Sequence, residues 1–125
     1  MRSSLRLLDG RFSVCRLPAG APRPQIDGSE FLSITQTENE LSIVCAEGRE
    51  PDDAQIEPGW RALCVRGPLD FSEIGILASL TVPLAEAGVS VFVISTYDTD
   101  YVLVREPDLE RARLALTAAG QTLSP

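Results

Sequence analysis

The stretch Phe71 to Val104, FSEIGILASLTVPLAEAGVSVFVISTYDTDYVLV, constrains this chain more than any other. It opens with an acidic turn and a glycine. Ile74, Leu77, Ala78, Leu84 and Ala85 then recur at helical spacing, and Gly88 supplies a helix stop. Two apolar, β-branched runs follow, Val89 to Ile94 and Tyr101 to Val104, around a Ser-Thr-Tyr-Asp-Thr-Asp turn. A helix with one apolar stripe must bury it, and the adjacent strands offer the surface. Hydroxyls and carboxylates then gather at the loop ends, with no nucleophile–base set beside them. The pattern fits a small regulatory or binding module better than an enzyme.

Composition narrows the classes. The 125 residues allow one ordinary domain or two very small ones sharing a core. A hydrophobic content of 44% is that of a folded chain. The net charge of -7, with arginines scattered rather than clustered, makes nucleic acid a poor partner. There is no histidine, which removes histidine general bases, the Ser-His-Asp and Cys-His triads and the common zinc sites. Cys15, Cys45 and Cys64 sit in apolar, strand-like runs and read as buried reduced thiols. Neither a catalytic group nor a cofactor nor a metal site is expected. The N-terminus lacks the apolar core of a signal peptide, and no run approaches the roughly 20 residues of a membrane span. The expected location is cytoplasmic.

Along the first half, Leu5 to Leu8 and Phe12 to Leu17 read as strands flanking an Asp9-Gly10 hairpin turn. Pro18 to Pro24 is a loop, and Pro24 to Ser29 has room for a short helical turn. Phe31 to Gln36 and Leu41 to Ala46 alternate as strands around a Thr37–Glu40 turn, and Gly48 to Gly59 reads as a linker. In the second half, Arg61 to Arg66 is a strand. Asp70 or Ser72 can cap the helix that follows, which Pro83 is expected to kink. Pro107 opens a second helix that Gly120 closes, and Gln121 to Leu123 adds a last short strand.

The second half therefore reads β-α-β-β-α-β, the split βαβ, ferredoxin-like order, with both helices on one face of an antiparallel sheet. The first half looks like a compressed copy, and the two polar hairpins support a degenerate duplication. The fold class is α+β, as tandem ferredoxin-like βαββα units. The expected domains are residues 1–59, abbreviated and ending in the linker, and residues 60–125.

Three pieces carry a family resemblance: SITQTENELSIV (Ser33 to Val44), Trp60, and GPLDFSEIGILASLTVPLAEAGVSVFVISTYDTDYVLV from Gly67 onward. Together they resemble ACT-domain proteins of the small two-ACT bacterial type, and are similar to the ACT repeats of eukaryotic cytosolic arginine sensors. The resemblance implies ACT-like folds in both halves, small-ligand or amino-acid sensing, and a homo-oligomer such as a dimer. In the arginine-sensing relatives the ligand is held by an acidic β-α turn and a strand-strand turn. That motif falls on Glu73, Ile74 and Gly75, and on Ser95, Thr96 and Asp100.

The residues themselves leave alternatives open. Glu73 fits an amine or guanidinium partner and equally fits a capping box with Asp70. Gly75 fits a backbone approach to a carboxylate at a helix N-terminus and equally fits close helix–sheet packing. Ser95 and Thr96 suit turn chemistry as well as ligand orientation. Of Asp98 and Asp100, Asp100 is the acid expected to face a ligand. Trp60 and Phe71 read as core or interface anchors. Two functions are consistent with this: a regulatory protein binding a small molecule, with an amino acid the expected ligand, and a structural oligomerisation module with no ligand.

Overall fold

Strand and helix boundaries follow the apolar patterning closely. A computed structural model describes residues 2–25, 31–67 and 74–124. Its elements are β1 (Ser4–Leu7), β2 (Phe12–Pro18), β3 (Ser33–Gln36), β4 (Glu40–Ala46), β5 (Gln55–Val65), α1 (Ile76–Glu86), β6 (Val91–Ser95), β7 (Asp100–Arg105), a 3-10 turn (Glu106–Asp108), α2 (Leu109–Ala118) and β8 (Thr122–Ser124). Contacts divide the chain into two compact units, Met1–Asp9 with Arg61–Pro125, and Gly10–Trp60. The first strand of the chain is thus grouped with the C-terminal stretch, although it lies within residues 1–59.

The larger unit carries the expected β-α-β-β-α-β succession: the end of β5, then α1, β6, β7, α2 and β8. Its strand order is β6-β7-β5-β1-β8. β6 and β7 are antiparallel, as are β5 and β1, whereas β8 runs parallel to β1. β1 therefore lies between the first and last strands of the succession. Alternation assigns the faces. Leu5, Leu63, Val65, Val102 and Val104 share one core with Ile76, Leu80 and Leu84 of α1 and Ala112 and Leu116 of α2. Both helices thus cover one face, and the residues between these positions, Arg6, Cys64 and Tyr101 among them, belong to the other.

Both helices end in the same hydrogen-bonded motif. Gly88 has φ 75°, its N–H bonds the Ala85 carbonyl at 3.0 Å, and the Val89 N–H reaches back to Leu84 at 2.9 Å. Gly120 has φ 95°, its N–H bonds Thr117 at 3.0 Å, and the Gln121 N–H reaches Leu116 at 3.0 Å. These are Schellman caps, which require a left-handed residue after the helix. Pro83 lies inside α1 without ending it, and its carbonyl accepts the Ala87 N–H at 3.0 Å. The N-cap of α1 is Gly75; Asp70 and Ser72, the expected caps, lie outside the described residues.

The smaller unit has the order β3-β4-β2-β5, antiparallel throughout. Cys15, Leu17, Leu41, Ile43 and Cys45 form one of its buried clusters. The three cysteines are buried and form no disulfide, in line with the sequence reading. Trp60 is buried opposite Phe12, whose ring meets Phe31 edge-on at 5.8 Å. Among the described residues this unit holds no helix. The helical turn expected at 24–29 falls largely on residues outside the described ones, as does Phe71.

Two expectations are corrected. The Asp9-Gly10 turn does not make a hairpin: β1 pairs with residues 63–65 of β5, and β2 with β4 and residues 55–60 of β5. A local Asp-Gly signal sets a positive φ, 78° at Gly10, but strand partners are chosen by long-range burial. The linker expected up to Gly59 is strand from Gln55 onward. Pro58 and Gly59 are accommodated by a register shift: Phe12 faces Trp60, whereas Val14 faces Glu57. The extra residue is a bulge, with Gly59 at φ 83°.

Candidate functional site

The β6–β7 hairpin is tied by its own hydroxyls. The Thr96 N–H bonds the Thr99 carbonyl at 2.8 Å, the Thr96 hydroxyl donates to that carbonyl at 3.1 Å, and the Thr99 N–H donates back to the hydroxyl at 3.2 Å. The buried Thr99 hydroxyl donates to the Val65 carbonyl at 2.5 Å, anchoring the turn to the end of β5. Tyr97 and Asp98 are left at the exposed tip, with Tyr97 79% accessible. Thr96 is therefore a turn-building residue first, because both hydrogen-bonding roles of its hydroxyl are used within the turn.

Ser95 and Asp100 face each other across the last pair of the ladder. The Ser95 hydroxyl donates to the Asp100 carboxylate at 2.5 Å. By alternation both belong to the helix-bearing face, in step with Val93 and Val102. At the start of α1, Gly75 takes φ 83° and is the N-cap, with no side-chain cap hydrogen bond, and α1 has no acid in its first turn. Among the described residues no side chain caps the first N–H groups of α1, the end of a helix that suits an anion. Ile74 is 86% accessible. Glu73 lies outside the described residues. Of the six residues expected at a site, the structure joins Ser95 to Asp100 directly and sets Ile74 and Gly75 at the entry of α1.

The opposite face of the same sheet holds a cleft of about 460 Å³ that sequence reading missed. Arg6 stands opposite Cys64 in the β1–β5 register, and Tyr101 of β7 interacts with Cys64. Arg66, Gly67, Thr96, Asp98 and Thr99 complete the rim. Asp98, and not Asp100, faces this cleft. Burial raises the Tyr101 phenol above its usual range; Cys64 and Asp98 push the same way, and Arg6 opposes them. The phenol is therefore a neutral hydrogen-bonding group at physiological pH. Nothing local in the sequence marks Arg6 as a site residue. Only the pairing of β1 with β5 brings it to the turn some ninety positions on.

Among the described residues no helix is long and apolar enough to cross a membrane, and no three Cys, Asp or Glu gather as a metal-binding group.

An α+β unit with the β-α-β-β-α-β succession and both helices on one face of its sheet defines a ferredoxin-like domain. The family profile of the ACT domain matches residues 55–118, and a separate N-terminal-domain profile matches residues 10–53. The chain belongs to the ACT-domain family. It is 33% identical over 110 residues to the cytosolic arginine sensor for mTORC1 subunit 1 of Pongo abelii, covering 80% of this chain and 33% of that protein. The chain thus spans about a third of the length of the curated relatives it matches. A crystal structure of an Agobacterium tumefaciens protein superposes with a TM-score of 0.91 at 42% identity, covering 99% of this chain and 93% of that one. The regulatory subunit of aspartate kinase from Thermus thermophilus shares the fold, with a TM-score of 0.64 at 10% identity over 92% of this chain and 95% of that one.

Proposed function

We propose that this chain is a regulatory protein that binds an amino acid, rather than an enzyme, and that it works in the cytoplasm. The observation that carries this is the ACT-domain match over residues 55–118, which includes every residue of the expected site. A relative named as an arginine sensor and a fold shared with an aspartate kinase regulatory subunit agree with it. The absence of histidine leaves the site without the commonest general base.

The proposed site is Glu73, Ile74, Gly75, Ser95, Thr96 and Asp100. The ligand ammonium meets Glu73 and Asp100 through charge-assisted hydrogen bonds. One Asp100 oxygen already accepts from Ser95, which fixes the carboxylate, and its remaining lone pairs are suited to the ligand. The ligand carboxylate meets the N–H groups at the start of α1, where the helix dipole favours an anion. Ligand then shifts an equilibrium between arrangements of the protein only by its differential affinity for them.

A thermal-shift panel of the common amino acids tests this. A true ligand at 100 times its Kd stabilises the fold by about 2.7 kcal/mol, and Asp100→Asn should weaken that ligand about tenfold or more. A ligand whose shift is unchanged by Asp100→Asn overturns the site. No shift with any amino acid, together with concentration-dependent self-association in sedimentation, supports the second reading, a pairing module. The exposed apolar side chains Ile74 and Val82, 86% and 53% accessible, favour that reading.

A further inference from the structure

We propose that the cleft on the helix-free face is a second ligand site, and that it takes an acidic amino acid. This goes beyond the function proposed above and does not rest on it: Ser95 and Asp100 belong to the other face of the sheet, and Thr96, which borders both, spends its hydroxyl within the turn.

The charges in the cleft are out of keeping with the rest of the chain. The protein carries a net charge of -7, yet two arginines and one aspartate line this cleft. The two arginines are placed by strand register. Arg6 faces Cys64, and the Arg66 N–H bonds the Ser4 carbonyl at 2.9 Å, so the arginines are diagonal neighbours on adjacent strands. Diagonal positions lie roughly 7–8 Å apart, close enough for like charges to repel and for one small anion to meet both. Neither arginine has an ion-pair partner among the described residues. Arg66 donates to the Ser124 hydroxyl at 2.7 Å, which uses one of its five N–H donors. Two arginines at diagonal register positions, with no carboxylate bonded to either among the described residues, suit a ligand's anionic oxygen.

The third charge gives the ligand class. Asp98 borders the cleft and, like Arg6, acts electrostatically on Tyr101, so both lie near the phenol. Two cations and one anion match a ligand with two carboxylates and one ammonium, which is an acidic amino acid. The cleft volume of about 460 Å³ falls within the roughly 300–1,000 Å³ usual for small-molecule sites. The walls are fixed before binding, since Thr96 and Thr99 spend their hydroxyls on the turn and on Val65.

Isothermal titration of the full chain with L-aspartate and L-glutamate tests the proposal, with succinate as the probe that lacks the ammonium. At least one acidic amino acid should bind, and raised salt should weaken it. Arg6→Gln should weaken it tenfold or more, while Arg16→Gln, the same charge change on an exposed residue of the other unit, should alter it less than twofold. Asp98→Asn should weaken the amino acid but not succinate. Arg6 is exposed, so circular dichroism of Arg6→Gln should match the parent, and Arg6→Lys should recover part of the affinity. Failure of both acidic amino acids to bind at millimolar concentration overturns the proposal. So does binding that survives Arg6→Gln, or binding lost equally with Arg16→Gln. The first site fails on Asp100→Asn and this one on Arg6→Gln, so the two readings fall separately.

Discussion

Ser13 and Glu50 illustrate how single residues couple this fold to pH. The Ser13 side chain is fully buried and its hydroxyl donates to the Glu50 carboxylate at 2.6 Å; the other carboxylate oxygen accepts the Gly48 N–H at 2.9 Å. The Ser13 bond is the main cause that holds the Glu50 carboxyl below its usual range. A depressed carboxylate contributes stability above its unfolded pKa, near 4.5, and loses it as pH falls through the lower folded value. Ser13→Ala should therefore cost about 1 kcal/mol at neutral pH. It should cost progressively less as pH falls from near 4.5 through the lower folded value, and urea melts at several pH values would check this. A deficit that stays constant down to the acid limit would show that the bond is not linked to protonation. Neither partner was legible as a pair in the sequence, where 37 positions separate them. Asp100 differs: its pairing with Ser95 lies within one hairpin, and a five-residue spacing is visible to pattern reading.

The helices are the elements that the sequence describes best, because their stripes and stops are local. Gly88 and Gly120 each occupy the left-handed position after a helix, as their placement predicts. Arg111 of α2 donates to the carbonyls of Ala87 and Gly88 at 3.4 and 3.5 Å, placing a cation at the negative end of α1. Two substitutions, one in α1 and one just after it, should separate burial from capping. Leu84 is fully buried and also gives the carbonyl that closes the cap, so Leu84→Ala should cost roughly 2–5 kcal/mol. A Cβ at Gly88 would meet Arg111 Nη1 at 3.7 Å, an ordinary contact, so Gly88→Ala carries only backbone strain of about 1 kcal/mol. Chemical denaturation of both variants gives the ranking, and equal losses would contradict it. Strand partners were less legible than helix ends. The bulge at Gly59 hides half of β5 behind a proline and a glycine, which in isolation spell a linker.

At the scale of the whole chain, the telling feature is β1. Residues 60–125 hold the complete β-α-β-β-α-β order, yet β1 lies between β5 and β8 and brings the buried Leu5 into the core of that unit. Removing residues 2–8 should therefore cost the larger unit its cooperative fold, with loss of helical circular dichroism, whereas a self-sufficient C-terminal unit would keep it. The amino-acid sequence by itself determined the two helices, their glycine stops, the polar β6–β7 turn and the family, because each is written in contiguous residues or short periods. Tertiary structure alone decided that β1 pairs with β5 rather than β2, that the supposed linker is strand, and that Arg6, Cys64, Tyr101 and Asp98 meet at one cleft. The physical reason is that periodicity fixes which face of a strand is buried, while the choice of neighbour depends on the total apolar surface the assembled sheet can remove from water.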